Sequence, residues 1–150
     1  MLAGMSAANL QGMMVSTLDV DLWIGLPARQ YMRVINLCRR LGATVRSANK
    51  VYLNDDLPVD FIYEVTGLRS FDQEFAKARR LSFHGLKIPV LSMAQICRSK
   101  RAAGRDKDKL HLLLIGQLLA NQRANRRAQQ REKLRRQTKV KPLPAKRVRS

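Results

Sequence analysis

Cysteines, histidines, acidic residues and long apolar runs are all scarce in this chain, and each scarcity excludes a class of protein. The two cysteines, Cys38 and Cys97, lie far apart, and no C-x-x-C or Cys/His cluster surrounds either of them. Neither a disulfide framework nor a structural zinc site is indicated, and a reducing compartment such as the cytoplasm is expected. The two histidines, His84 and His111, have no second histidine or cysteine nearby, which favours a core or surface role over a catalytic one.

No apolar segment approaches the roughly 20 residues that a membrane-spanning helix requires. The first basic residue is Arg29, so the beginning of the chain lacks the charged segment that precedes the apolar part of a signal peptide. We therefore expect a soluble, cytoplasmic protein without membrane association.

Acidic residues are also unevenly placed. The chain has 11 Asp and Glu against 29 Lys and Arg, a net charge of +18. Residues 121–150 alone carry 12 Lys and Arg and a single acid, Glu132. This composition favours a polyanionic partner for the tail, RNA in particular, and the alternative is a solvated charged end that binds nothing specific.

Composition divides the chain into one domain over residues 1–120 and a basic tail over 121–150. The domain alternates helical and β-rich patterns. Helical spacing appears at 2–11, 27–41, 71–80, 92–103 and 106–118, and β-rich stretches appear at 43–46, 50–53, 59–65, 81–83 and 86–90. Beyond Ala120 the apolar face disappears, so we expect a partly helical or disordered tail that ends its regular structure at Pro142 and Pro144.

The stretch from Ser16 to Ile24 carries the most distinctive pattern. Asp19 and Asp21 alternate with apolar residues at a period of two, which predicts a strand with one buried face. Both carboxylates then project from the same face, with Cα atoms roughly 7 Å apart, where they can share hard cations such as Mg²⁺. The alternative is an edge strand that uses acidic residues to prevent unwanted pairing. Trp23 lies in register with the aspartates and either stacks on a base or fills the core.

A third aspartate supplies context for the first two. Asp60 lies 39 residues beyond Asp21, near the start of the β-rich stretch 59–65. If the two strands are neighbours, three carboxylates surround one site, which is a ligand set for two Mg²⁺ ions about 4 Å apart in phosphoryl transfer.

Together the motifs resemble the nucleotidyltransferase fold, and more narrowly the minimal nucleotidyltransferase-like proteins of toxin–antitoxin and abortive-infection systems. The resemblance covers about residues 3–119. In chain order the motifs are Gly4-x-x-Ala7-x4-Gly12, Thr17-x-Asp19-x-Asp21-Leu22, Val59-Asp60 and Lys100-x-x-Ala103-x-Arg105-x-Lys107-Asp108. The resemblance implies an α/β (mixed α+β) domain in which a small mixed sheet is flanked by helices.

The same resemblance implies a Mg²⁺- or Mn²⁺-dependent enzyme that moves a nucleotidyl group from an NTP to a hydroxyl of RNA or protein, within a toxin–antitoxin system with a cognate partner protein. The implied metal-binding and catalytic residues are Asp19, Asp21 and Asp60. The implied nucleotide-binding residues are Gly4, Thr17 and Lys100. For Lys100 the alternative is a lysine whose stem is buried and whose ammonium reaches solvent.

Three departures from the family pattern favour a second interpretation. Met5 stands where relatives have a second glycine or a serine, and Val15 stands where they often have a basic residue. The chain also begins at the glycine motif, which suggests a shortened start, a truncated gene or a degenerate copy. The alternative function is therefore a catalytically silent binding module for RNA or for a partner protein.

Overall fold

The protein is described by a computed structural model covering residues 1–54 and 56–139, with Thr138 and Lys139 described by their backbone alone. Contacts divide the chain into two compact units, Met1–Ile115 and Gly116–Ser150. The part of the predicted tail over 140–150, including both of its prolines, lies outside the described residues.

The described residues form five helices and six strands. In chain order they are α1 (Gly4–Asn9), β1 (Val20–Trp23), a 3₁₀ turn (Ala28–Gln30), α2 (Tyr31–Arg40), β2 (Thr44–Ser47), β3 (Lys50–Leu53), β4 (Leu57–Ile62), α3 (Phe71–Phe75), β5 (Arg79–Phe83), β6 (Leu86–Val90), α4 (Met93–Ala103) and α5 (Asp106–Lys139). No helix in these ranges combines the length and the apolarity needed to cross a bilayer.

The main sheet has four strands in the order β1-β4-β3-β2. The pair β1–β4 is parallel, whereas β3 pairs antiparallel with both β2 and β4. The strands β5 and β6 form a separate antiparallel hairpin. The predicted mixed α+β class, with a small mixed sheet and helices, is confirmed.

One face of the main sheet packs against α2 to form the core. The cluster is centred on Ile35 of the helix and on alternating residues of the central strands, including Val51, Val59 and Phe61. Because successive side chains on a strand point to opposite faces, Asp60 must project from the other face of the sheet. The core therefore anchors the strands while leaving the acidic positions available.

The first three residues join the hairpin to the main sheet. Leu2 forms bridges to Leu22 of β1 and to Val90 of β6. The backbone amide of Ala3 donates to the carbonyl of Asp21 at 2.8 Å. This pairing brings the beginning of α1 against the acidic strand.

Three sequence predictions were wrong in their boundaries. The β-rich stretch predicted over 59–65 forms a strand at Leu57–Ile62. The acidic strand begins at Val20 rather than near Ser16, and Leu18 is 85% exposed, because residues 13–19 run irregularly before the strand. The predicted helix over 71–80 ends at Phe75, because the residues from Arg79 onward pair with β6.

Helices α4 and α5 meet at a sharp break. Ser92 precedes α4 as its N-cap and forms a capping box, in which its side chain accepts from the backbone amide of Gln95. Gly104 ends the helix in a left-handed conformation with φ of 64°. The chain then enters α5 at Asp106, and that helix continues to Lys139.

Candidate metal centre

Three aspartate side chains converge on the face of the sheet opposite α2. Asp21 and Asp60 are register partners in the parallel pair β1–β4, and Asp19 lies one residue before β1. Each offers a carboxylate oxygen, and these oxygens all lie within 4.8 Å of one another. The structure thus brings together the three residues that the sequence singled out.

Neighbouring charges strain this cluster electrostatically. Burial raises the pKa of Asp21, and the carboxylates of Asp19 and Asp60 raise it further, against smaller opposite effects from Lys100 and Lys107. On β3, which borders β4 on the side away from β1, Lys50 forms an ion pair with Asp60 at 3.2 Å. One lysine therefore compensates part of the negative charge at the edge of the cluster.

The donor set fits a hard divalent cation. All three ligands are carboxylates, and Mg²⁺ and Mn²⁺ prefer oxygen donors of this kind. Burial first, and then the nearby carboxylates of Asp19 and Asp60, raise the pKa of Asp21, and a bound cation would offset both effects by favouring the ionised carboxylate. Metal binding by these residues stays a prediction.

Gly4 allows the close approach of α1 to this cluster. It has φ of 57°, and a Cβ placed on it would overlap Asp21 Oδ2 and lie 2.8 Å from Asp21 Cγ. A side chain at position 4 would therefore displace the carboxylate. The predicted nucleotide-binding glycine lies beside the candidate metal ligands.

Two hydroxyl groups fix the backbone of Asp19. Thr17 Oγ1 donates to the Asp19 carbonyl at 2.6 Å, and Ser6 Oγ donates to the same carbonyl at 2.9 Å. Because Asp19 lies outside the regular strand, these two bonds position it in place of strand pairing. Thr17, predicted to contact nucleotide, thus orients a candidate ligand in the structure.

Lys100 belongs to a buried polar network across the break between α4 and α5. Its Nζ donates to Asp108 Oδ1 at 3.0 Å and to His111 Nδ1, also at 3.0 Å. Arg105 Nε donates to Asp108 Oδ2 at 2.6 Å. The Lys100 side chain is 10% exposed and Asp108 is fully buried.

The network sets the protonation of its members. Burial alone raises the pKa of Asp108, but hydrogen bonds from Arg105 and Lys100 outweigh it and bring the pKa to about 2. Burial and the Lys100 ammonium lower the pKa of His111. Since an ammonium can only donate, His111 Nδ1 must accept, which leaves the imidazole neutral with its proton on Nε2.

The acidic cluster and the lysine network line one cleft of about 830 Å³, within the size range of small-molecule sites. All six residues that the sequence analysis assigned to the site line this cleft: Gly4, Thr17, Asp19, Asp21, Asp60 and Lys100. Glu64, Arg105, Lys107 and His111 also line it.

Sequence reasoning missed several of these contributors. Glu64 lies four residues after Asp60, and the period of two in a strand would have placed both carboxylates on the same face. His111 was expected in the core or on the surface, because its neighbour Lys100 lies on another helix and no local spacing connects them.

Trp23 is 1% exposed, contacts Phe71 edge-on at 5.6 Å and donates to the Tyr63 carbonyl at 3.1 Å. Its alternative interpretation as a base-stacking residue was wrong.

Comparison with known proteins finds no matching family model, no matching curated protein and no matching solved structure. The nucleotidyltransferase resemblance rests on the motifs and stays a prediction.

Proposed function

We propose that this protein is a Mg²⁺- or Mn²⁺-dependent nucleotidyltransferase that transfers a nucleotidyl group from an NTP to a hydroxyl of RNA or protein. One observation carries the proposal. Three carboxylates from two paired strands and the adjoining turn place their oxygens within 4.8 Å of one another, in a cleft large enough for a nucleotide.

In this proposal the residues of the chain divide the work. Asp19, Asp21 and Asp60 hold the divalent cations, and the sheet keeps the latter two in fixed register. When bound, Mg²⁺ would offset the negative charge of the phosphates during transfer. Asp60 would also help to activate the attacking hydroxyl.

Lys100 would supply a positive charge to the triphosphate. Its ammonium has three N–H groups, and two of them are directed at Asp108 and His111. The third is available to a phosphate oxygen in the cleft that Lys100 lines. The buried partner Asp108 would hold the ammonium in place.

The direct test is transfer of label. Purified protein is incubated with each NTP labelled at the α-phosphate, with Mg²⁺ or Mn²⁺, and with total RNA or cell extract. We expect label on one acceptor class, lost by orders of magnitude in Asp19→Asn, Asp21→Asn and Asp60→Asn. Asp56→Asn, which changes an exposed turn residue, is the matched control and should retain activity. Equal labelling by the Asp21→Asn variant would contradict the proposal.

A catalytically silent binding module is the second candidate, favoured by the surroundings of the glycine motif. Met5 is buried, and its side chain offers neither a hydroxyl nor an amide. The backbone amide of Val15 donates to the side chain of Asn9, and the carbonyl of Val15 accepts from the same side chain. Calorimetric titration of NTP with Mg²⁺ separates the candidates. Binding that Lys100→Ala weakens by about 1–3 kcal/mol and that Val15→Arg strengthens supports the enzyme. No binding at millimolar NTP supports the silent module, and an adjacent gene for a small partner would support a toxin–antitoxin pair.

A further inference from the structure

The outer face of α2 carries a strongly basic and partly apolar surface that the candidate metal centre does not use. No Asp or Glu occurs between Leu22 and Asn54, a stretch that holds five arginines and Lys50. Lys50 is paired with Asp60, whereas none of the five arginines forms an ion pair within the described residues. The five are Arg29, Arg33, Arg39, Arg40 and Arg46, all exposed.

Helical geometry places charge and apolar surface together on this face. The inner positions of α2, including Tyr31, Val34 and Ile35, pack on the sheet. The opposite positions present Arg33, Leu37 and Arg40, which follow one another at the i, i+4, i+7 spacing of a single helix face.

The apolar residues on this face are large and accessible. Leu37 is 50% exposed, and Leu41, which directly follows the helix, is 72% exposed. Single exposed apolar residues are common, but these two lie four residues apart and are bordered by arginines. An apolar centre with a polar rim is typical of protein interfaces, and arginine is enriched in them.

We propose that this face of α2 is a docking surface for an acidic amphipathic helix of a partner protein. The partner would place apolar side chains on Leu37 and Leu41 and glutamates or aspartates beside Arg33 and Arg40. The apolar contact supplies most of the affinity, because exposed ion pairs contribute about 0–1 kcal/mol each. The arginines supply orientation and faster association.

Other occupants fit this surface less well. A second copy of the chain carries a net charge of +18 and would set cations against cations. RNA would gain from the arginines but nothing from the exposed Leu37 and Leu41, and the outward positions of α2 hold no aromatic ring on which a base could stack. The proposal does not depend on catalysis at the metal centre.

A designed peptide tests the surface directly. The probe is a fluorescein-labelled peptide of about 18 residues, long enough to form a helix, with leucines along one face and glutamates elsewhere. A scrambled peptide of identical composition is its control. The full chain should bind the helical peptide about tenfold more tightly than the scrambled one, because only the former presents apolar anchors.

Two variants of exposed residues locate the binding. Leu37→Asn should weaken peptide binding about tenfold by removing an anchor. The pair Arg33→Glu and Arg40→Glu should weaken it at least as much, and should restore tight binding to a peptide in which lysines replace the glutamates. The matched control, Lys77→Glu with Lys87→Glu, makes the same charge change on exposed positions outside both α2 and the basic tail and should leave the affinity unchanged.

Three results would overturn the proposal. Equal binding of helical and scrambled peptides would show that only net charge matters. Loss of binding in the Lys77/Lys87 control variant would place the peptide elsewhere. The third result has two parts: the double variant Arg33→Glu with Arg40→Glu abolishes binding of a uridine oligonucleotide, and Leu37→Asn leaves peptide binding unaffected. Together they would make nucleic acid the occupant. Circular dichroism of each variant establishes that it is folded.

Discussion

Asp21 and Asp60 face each other across a parallel strand pair, although 39 residues separate them in the chain. Their neighbours in the strands, Val20 and Val59, contribute to the core on the opposite face. The same pairing that builds the core therefore builds the acidic cluster. Negative charge is concentrated there at a cost in folding free energy, which leads to the first prediction.

Neutralising one carboxylate should stabilise the cation-free protein and abolish its response to cations. Asp21→Asn removes one of three mutually repelling charges, so its midpoint of thermal unfolding without divalent cations should exceed that of the wild type. At a Mg²⁺ concentration 100 times its Kd, the wild type should gain about 2.7 kcal/mol and the variant almost nothing. Calorimetric scans with and without Mg²⁺ measure both effects. If neither Mg²⁺ nor Mn²⁺ raised the midpoint of thermal unfolding of the wild type, the proposed metal site would be contradicted.

Gly4→Ala should damage the acidic cluster, whereas Gly42→Ala should not. Both glycines have positive φ, at 57° and 81°, so both variants should lose about 1 kcal/mol of stability through backbone strain. A Cβ at position 42 meets nothing within 4 Å, whereas one at position 4 overlaps the Asp21 carboxylate. Denaturant unfolding should show a larger loss for Gly4→Ala, and cation titration should show weakened binding in that variant alone. Equal losses in both variants would exclude the steric argument.

Asp108→Asn should lower the free energy of unfolding by about 3 kcal/mol, because it leaves the buried Lys100 ammonium without its counter-charge. The double variant Lys100→Met with Asp108→Asn should recover part of that loss, since it removes both charges. Denaturant unfolding of the wild type, the two single variants and the double variant measures the coupling. Additive losses would show that the pair contributes no interaction of its own.

The same carboxylate predicts a dependence on acid. The pKa of Asp108 is about 2 in the folded protein against 3.8 ordinarily, so its stabilisation is fully present above pH 4 and is lost as the pH falls towards 2. That shift corresponds to about 2 kcal/mol. The stability difference between wild type and Asp108→Asn should therefore shrink across this window. A difference that stays constant from pH 5 to the acid limit would contradict the assigned pKa.

RNA binding by the basic tail should depend steeply on salt. Removing residues 121–150 should flatten the slope of log K against log salt concentration and leave the unfolding of the first unit nearly unchanged. Arg126→Gln with Lys133→Gln should reduce the slope by about 1.4 if both cations contact single-stranded phosphate. Filter binding over a salt series measures these slopes. Unaltered RNA binding after the deletion would show that the tail is a solvated end.

Local patterns predicted the elements well where one face is buried. The helical spacing of Tyr31, Val34, Ile35 and Cys38 marked α2, and the β-rich stretches marked the meander of β2, β3 and β4. The alternating pattern predicted an acidic strand that is longer than the real one. Leu18 continues the alternation, but it is exposed and does not pair with another strand. Alternation records which residues would share a face and not where pairing stops.

The three aspartates and Lys100 were predicted as residues of the candidate site, whereas Glu64 and the hydrogen-bond network around Lys100 were not. The aspartates share a strand period, so their convergence needed only the assumption that β1 and β4 are neighbours. The Lys100–Asp108–His111 network depends on the angle between two helices at Gly104, and that angle is set by a left-handed residue rather than by any periodicity.

The long separation of Asp21 and Asp60 also governs when the acidic cluster forms during folding. The hairpins of β2, β3 and β4 close over short loops, whereas the docking of β4 on β1 closes a loop of 39 residues and is entropically the slower step. A cation that binds the cluster will accelerate folding only if this docking is complete in the transition state, and will otherwise slow unfolding. Stopped-flow measurement of cation uptake would therefore show when, during folding, β4 docks on β1.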